Sequence, residues 1–248
     1  MKVVYHPRLA EVYASDPAAM PGRMEAIVEE LRGFDFIQPE PAQVDDLRLV
    51  HSQGHIDSIK RDARLYEVAA LAVGGAIRAS ELAMAGSPAF GLIRPPGHHA
   101  SSDSCWGFCF FNNIAIALAR LQAAGRIRRA FVLDFDLHYG DGTADILSGP
   151  RFAYFHPQAH RREEFVDIIE RRLAAEGGYD IIAVSAGFDR HEQDWGRMLH
   201  TEDYQTIGRL VKEAAARVCQ GRRFAVLEGG YNHAVLGQNV KAFVQGLA

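Results

Sequence analysis

Short runs of consecutive apolar residues alternate along the chain with longer segments in which apolar residues recur every three or four positions. The short runs are typical of strands and the longer segments are typical of helices. The pattern predicts six strands, at residues 3–5, 90–93, 130–135, 152–155, 181–185 and 224–228. It predicts six helices, at residues 22–32, 66–85, 112–124, 162–175, 201–220 and 234–247.

Several of these strands are apolar throughout rather than alternating between apolar and polar residues. This is typical of a parallel sheet that is covered by helices on both faces. The alternation of strands and helices therefore predicts a single α/β domain over residues 1–248 with a mostly parallel central sheet.

The composition excludes several classes of protein. A net charge of −4 gives no indication of a nucleic-acid partner, and no apolar run approaches the ~20 residues that span a bilayer. Three cysteines form no disulfide framework, and the chain opens on a strand pattern rather than a signal peptide. We therefore expect a cytoplasmic protein without a membrane partner. The sequence leaves the oligomeric state open.

Polar residues follow the predicted strands closely. In open parallel sheets ligands bind beyond the carboxyl ends of the strands, so these residues are the ones to examine for chemistry. Four strands deliver such residues to one edge of the sheet: His98 and His99, then Asp134, Asp136 and His138, then Asp189, then Tyr231.

Asp136, His138 and Asp189 form a candidate metal site. Buried carboxylates are costly unless they are paired or bind a metal, and three protein ligands leave a position open for water, as in catalytic zinc sites. Iron(II), cobalt or manganese would also suit this ligand set. For the segment around Asp134 to His138 alone, a structural ion pair is the alternative.

The other residues suggest acid–base chemistry. His98 and His99 follow a stiff Pro-Pro-Gly loop and would act as general acid and base, although solvated histidines in a turn are the alternative. Asp134 and Asp141 would orient the two histidines. The Tyr231 hydroxyl would stabilise an oxyanion. Together with the metal ligands, these parts describe metal-assisted hydrolysis of an amide.

Five motifs resemble the histone deacetylase superfamily, which includes acetoin-utilisation proteins and acetylpolyamine amidohydrolases. They are RPPGHHA at residues 94–100, GFCFFNN at 107–113, DFDLHYGDG at 134–142, SAGFD at 185–189 and EGGYN at 228–232, and the last two are similar to the class II branch. Weaker matches lie at residues 51–59 and 199–204.

The resemblance implies an arginase-like α/β fold and a zinc-dependent deacetylase with the same ligands, histidine pair and tyrosine. It places Phe108 on the wall of an acyl-lysine tunnel, and we assign Trp106, Gly107 and Gly230 to the same substrate pocket; for Trp106, core packing is the alternative. It also implies a potassium ion near Asp134, held with the main-chain carbonyls of Asp136 and His138.

The chain departs from the family pattern in several places. Tyr139 replaces a second histidine that is not a ligand, and Tyr154 and Phe155 replace the small hydroxyl residue near the potassium. The segments between His55 and residue 74 and between His156 and Tyr179 are short. We therefore expect a complete set of catalytic residues in a pocket whose entrance is more open than in other family members.

The sequence thus predicts a metal-dependent amidohydrolase acting on an acyl-lysine peptide or a small acylated amine. Two alternatives stay open. One is a binuclear arginase-like hydrolase, although Asp189 is followed by Arg190-His191 rather than by a second carboxylate. The other is a non-catalytic protein that binds acylated amines.

Overall fold

The computed structural model describes all residues, 1–248, and contains one sheet of seven strands. All neighbouring strands are parallel, and their order is β2-β1-β3-β7-β6-β4-β5. The strands are β1 (Lys2–Val4), β2 (Asp35–Ile37), β3 (Ala89–Gly91), β4 (Ala130–Asp134), β5 (Phe152–Phe155), β6 (Ile181–Ala186) and β7 (Arg223–Leu227).

Nine α-helices pack in two groups, one built around α4 and α5 and the other around α1, α7, α8 and α9. None of the helices is both long and apolar enough to cross a membrane. The helices are α1 (Arg23–Glu30), α2 (Val44–Leu47), α3 (Gln53–Lys60), α4 (Ala63–Met84), α5 (Asn113–Ala123), α6 (Asp141–Ile146), α7 (Arg162–Ala175), α8 (Thr201–Cys219) and α9 (His233–Leu247).

The α/β fold class predicted from the sequence is confirmed, and each of the six predicted strands is present. The edge strand β2, in which Phe36 is exposed, was not predicted. An exposed edge strand lacks the continuous apolar run by which buried strands are recognised. The short helices α2, α3 and α6 were missed because each contains too few turns to show a helical period.

The central strands β4, β6 and β7 fix where the polar residues lie. All of their residues are buried. In the register of the sheet, Asp134 of β4 lies beside Ser185 of β6, and Ala186 of β6 lies beside Leu227 of β7. The three strands therefore end next to one another, and the segments that follow them form a common rim.

Two helical glycines provide a test of how α4 packs against the segment between β2 and α2. A methyl group at Gly74 of α4 would overlap the main chain of Glu40, whereas Gly54 of α3 is exposed and has room for one. We expect Gly74→Ala to lower the free energy of unfolding by about 1–3 kcal/mol through overpacking. Gly54→Ala should raise it by about 0.5–1 kcal/mol, because alanine restricts the unfolded chain. Urea denaturation measures both, and equal effects would contradict the packing.

Candidate functional site

Asp136, His138 and Asp189 converge at the rim of the sheet. One ligand atom from each residue lies within 4.8 Å of the other two. The Nδ1 atom of His138 lies 3.2 Å from Asp136 Oδ1 and 3.2 Å from Asp189 Oδ2. The three residues that sequence reasoning proposed as metal ligands are thus brought together from the ends of two neighbouring strands.

Glycines make this close approach feasible. The main-chain N–H of Gly229 donates to Asp136 Oδ2 at 2.8 Å. A Cβ atom at Gly229 would lie 2.6 Å from Asp136 Oδ2 and 2.8 Å from Asp189 Oδ2, and a Cβ atom at Gly187 would overlap the Asp136 carboxylate. Side chains at these two positions would displace the carboxylates, so only glycine fits at both.

The charges of the site suit a bound cation. Asp189 Oδ2 is buried, and the His138 ring, whose Nδ1 lies 3.2 Å away, is the one polar side chain that faces it. Burial together with the charge of Asp136 raises the pKa of the Asp189 carboxyl. Hydrogen bonds to Asp136 and Asp189 raise the pKa of His138 to about 10, so its ring carries a proton between the two carboxylates. Two carboxylates and one imidazole are a donor set for a divalent metal.

Each histidine of the predicted pair has its own carboxylate. His98 Nδ1 lies 3.1 Å from Asp134 Oδ2, and His99 Nδ1 lies 2.6 Å from Asp141 Oδ1. Burial opposes a charge on His98, but Asp136 and Asp134 outweigh it and raise its pKa well above the ordinary value. Burial and the neighbouring His98 lower the pKa of His99. The two rings therefore differ in charge, with His98 protonated and His99 neutral.

Trp106 supports the second of these pairs. Its indole Nε1 donates to Asp141 Oδ2 at 2.8 Å, and its ring lies 3.9 Å from the ring of His99. The indole is 55% exposed, so it lies at the surface rather than in the core. A Cβ atom at Gly107 would lie 2.5 Å from His99 Cδ2, so the bare backbone at this position lets the imidazole take its place.

A cavity of about 130 Å³ lies among these residues. The Phe108 and Tyr231 rings pack edge-to-face with their centroids 6.0 Å apart, and the Trp195 ring stacks on the Tyr231 ring with a centroid distance of 4.1 Å. Of the residues predicted for the site, the cavity is lined by His98, His99, Trp106, Gly107, Phe108, His138 and Tyr231.

Gly229 lines the cavity directly, and Gly230, which we assigned to the substrate pocket, follows it in the chain. Gly230 has a φ of 115°, and a Cβ atom there would meet Leu236 and Phe188 in the core. Its carbonyl accepts a hydrogen bond from Arg23 Nε at 2.8 Å. Gly230 thus turns the chain so that Tyr231 reaches the cavity.

The potassium ion that the resemblance implies does not fit this chain. Asp134 Oδ1 accepts from the main-chain N–H of Asp136, and Asp134 Oδ2 accepts from the Tyr154 hydroxyl at 2.8 Å. The carbonyl of Asp136 accepts from Arg190 Nε at 3.0 Å and from His156 Nε2 at 2.9 Å. Protein groups thus occupy the oxygens of Asp134 and Asp136 that were expected to hold the ion.

Sequence reasoning did not anticipate Trp195, Arg190 or His156 at the site. Arg190 was noticed only as a departure after Asp189, and its position next to a ligand was a usable signal. Trp195 is one of two tryptophans in the chain and follows Asp189 by six residues, but no periodicity or motif marks it. Its place beside Tyr231 depends on the path of the loop between β6 and α8.

A second group of close ligand atoms, from His98, Cys109 and Glu228, is already hydrogen-bonded. Glu228 Oε2 accepts from the main-chain N–H of Gly97 at 2.7 Å, and Glu228 Oε1 accepts from the Ser185 hydroxyl at 3.1 Å. This carboxylate therefore braces the histidine loop from below. The geometry favours one metal position at the rim rather than two.

The histone deacetylase domain model matches residues 18–165 and 148–247, which together make up most of the chain. The chain belongs to the histone deacetylase family. Its fold resembles the crystal structure of the HDA15 HD domain with a TM-score of 0.86, covering all of this chain and 90% of that one at 22% sequence identity.

Relatives from microorganisms carry related names. A probable deacetylase of Methanothermobacter thermautotrophicus is 32% identical over 91% of this chain and 84% of its own length. A histone deacetylase-like amidohydrolase of Pseudomonas aeruginosa is 33% identical over 78% of this chain and 65% of its own length. An acetylpolyamine amidohydrolase of Mycoplana ramosa is 32% identical over 74% of this chain and 63% of its own length. The chain is thus similar to enzymes that hydrolyse amide bonds.

The buried carboxylate of Asp189, to which the main chain donates one hydrogen bond at Oδ1, leads to a stability prediction for the metal-free protein. Because folding raises its pKa, the charged form costs stability; this cost grows as the pH rises from the ordinary aspartate pKa to the raised one and is constant above it. We expect Asp189→Asn to raise the free energy of unfolding by roughly 1–3 kcal/mol at alkaline pH and to have little effect in acid. Thermal melts in chelator at several pH values measure this.

Asp180, at the other end of β6, is the matched control. Its carboxylate accepts from the main-chain N–H groups of Arg128 and Arg129, which outweigh its partial burial and lower its pKa. Asp180→Asn should therefore lower stability at alkaline pH. If both substitutions shift the melting temperature in the same direction, the charge account of the Asp189 site is wrong.

Proposed function

We propose that this chain is a mononuclear, zinc-dependent deacylase that hydrolyses the amide of an acyl-lysine or of a small acylated amine. The observation that carries the proposal is the convergence of Asp136, His138 and Asp189 beside a cavity that is lined by His138, His98, His99 and Tyr231. The membership in a family of deacetylases and amidohydrolases supports the reaction class.

The residues around the cavity indicate which substrates would fit. A cavity of about 130 Å³ can hold a short acyl group but little more of the substrate. Phe108, Trp195 and Trp106 surround its opening with aromatic rings, which suit an alkyl chain leading to the amide. Trp195 is 47% exposed, so a substrate reaches the cavity directly from the surface.

Asp136 Oδ1, His138 Nδ1 and Asp189 Oδ2 would hold the metal. When bound, a divalent ion supplies Lewis-acid chemistry: it polarises the amide carbonyl and makes a water molecule easier to deprotonate. The proton between the His138 ring and the two carboxylates leaves on metal binding, because a ligating imidazole is neutral. The bare backbone of Gly229 leaves both carboxylates free to take up their positions.

The histidine pair would handle the protons. His99 is neutral and donates its Nδ1–H to Asp141, so its Nε2 is free to accept a proton from the attacking water. His98 is protonated against Asp134 and places a positive charge where negative charge develops in the transition state. The proton taken up by His99 is then available for the leaving amine.

Tyr231 would stabilise the oxyanion. Burial and the charges of Asp136 and Asp189 raise the pKa of its hydroxyl, so it remains a hydrogen-bond donor throughout the working pH range. The main-chain N–H of Tyr231 donates to Asp194 Oδ2 at 2.7 Å, and its ring lies against Trp195. The phenol is therefore held in place before the substrate arrives.

The proposal predicts large effects on the catalytic rate. Tyr231→Phe should lower kcat by roughly 100- to 1,000-fold, and His99→Ala by roughly 100- to 10,000-fold, while one zinc ion per chain remains bound. Deacylation of fluorogenic acyl-lysine peptides and acylated polyamines, with metal analysis of each variant, measures this. Tyr139→Phe is the matched control, because Tyr139 is exposed and does not line the cavity.

Three results would contradict the proposal. Full activity after removal of all divalent metal would exclude the metal role. Two metal ions per active chain would favour the binuclear alternative. Zinc binding and substrate binding without turnover of any acylated amine would favour the non-catalytic alternative.

Trp106 offers a finer test of the His99–Asp141 pair. Trp106→Phe keeps an aromatic ring on His99 but removes the hydrogen bond from Nε1 to Asp141. We expect kcat/KM to fall by roughly fivefold, or about 1 kcal/mol, with the larger part in kcat. Trp106→Ala should cost more, because the ring contact is also lost. Unchanged kcat in Trp106→Phe would show that the indole N–H does not position the pair.

A further inference from the structure

Arg190 is a buried cation directly beneath the predicted metal ligands. Only 5% of the residue is exposed. Its Nε atom lies 3.1 Å from the carbonyl oxygen of Phe135 and 3.0 Å from that of Asp136, and its Nη2 atom lies 3.3 Å from that of Leu137. One guanidinium therefore binds three successive carbonyls of the segment that carries Asp136 and leads to His138.

The other side of the guanidinium is closed by an aromatic ring and not by a carboxylate. The guanidinium carbon lies 4.5 Å from the centre of the Phe165 ring of α7. The main-chain carbonyls of residues 135–137, here called the ligand segment, are thus the hydrogen-bond acceptors of the guanidinium. Its one further polar contact is a 3.2 Å approach of Nη2 to His156 Nε2. Because a buried charge needs compensation, the segment and the arginine hold each other in place.

The Tyr154 hydroxyl binds the same region of the chain on the side of Asp134. The Tyr154 hydroxyl donates to Asp134 Oδ2 and accepts from the main-chain N–H of Gly140 at 2.9 Å. It therefore fixes the carboxylate that orients His98. The carbonyl and carboxylate oxygens in this region are those that would otherwise suit an alkali-metal ion.

We propose that Arg190, assisted by Tyr154, is a built-in replacement for a monovalent cation, so that this chain holds its ligand segment in place without bound potassium. The proposal rests on the proposed function only for the identity of the metal at Asp136, His138 and Asp189. A covalently attached guanidinium is present at any ionic composition, so metal affinity should be independent of potassium and should instead depend on Arg190.

The first experiment uses the unmodified protein. Its melting temperature without divalent metal, its zinc affinity and its deacylation rate are measured in alkali-metal-free buffer and then with increasing KCl or NaCl, while choline chloride holds the ionic strength constant. We expect no saturable response of any of the three quantities. A saturable rise in stability or zinc affinity with potassium would overturn the proposal.

The second experiment removes the guanidinium. Arg190→Ala should weaken zinc binding by about 10- to 100-fold, as is typical when a group that positions a ligand is lost, and added guanidinium at low concentration should restore part of the affinity. Arg190→Lys keeps a charge but reaches fewer carbonyls, so its affinity should lie between those of Arg190→Ala and the unmodified protein. Unaltered zinc affinity in Arg190→Ala would overturn the proposal.

Arg223 provides the matched control. It is also buried and binds main-chain carbonyls, those of Leu247 and Gly221, but it begins β7 at the opposite end of the sheet. Arg223→Ala should lower the melting temperature without changing zinc affinity or responding to guanidinium. An equal loss of zinc affinity in both arginine variants would show general destabilisation and overturn the proposal.

The outcomes separate this proposal from the proposed function. If Arg190→Ala does not fold, the potassium series on the unmodified protein and the Arg190→Lys variant still decide. A protein that binds zinc in an Arg190-dependent and potassium-independent way, but hydrolyses no acylated amine, would support the built-in cation and contradict the deacylase.

Discussion

The repulsion between two buried carboxylates is the constraint on which the site depends. Asp136 and Asp189 closely follow the neighbouring parallel strands β4 and β6, whose pairing brings the two carboxylates to one edge of the sheet. Negative charges at this separation and burial are tolerated only with cations nearby. The chain supplies positive charge from three directions: His138 between the carboxylates, His98 at one side and Arg190 below.

Apart from the site histidines, the surrounding fold offers the oxygens of Asp136 and Asp189 only main-chain N–H donors. Gly187 and Gly229 present bare backbone to the Asp136 carboxylate, and one main-chain N–H from Gly229 is the bond they add. Glu228, the first residue after β7, faces the other way and binds the loop that carries the histidines. The sheet thus separates a carboxylate that hydrogen-bonds the histidine loop from the carboxylates that we propose as metal ligands.

The sequence predicted the fold class, six of the seven strands and the convergence of the polar residues, because each follows from local apolar runs and from the rule that parallel strands end at one edge. The partners of Asp134 and Asp141 were also proposed from position alone. Trp195 and the pairing of Arg190 with three carbonyls were beyond reach. Both depend on how the loop after β6 folds back, with main-chain bonds from Met198 and Leu199 to Arg190, and no periodic pattern encodes that path.

Two positive charges near the carboxylates, the Arg190 guanidinium and the proton on His138, differ in whether they can be exchanged. The guanidinium of Arg190 is covalently fixed and binds carbonyls rather than carboxylates, so it lowers the cost of the negative cluster without occupying a ligand oxygen. The proton on His138 lies between Asp136 and Asp189 and is the one charge that a divalent ion would displace. Because the Arg190 guanidinium stays in place and only the His138 proton would be exchanged for a metal, the ligand segment can keep its shape whether or not metal is bound.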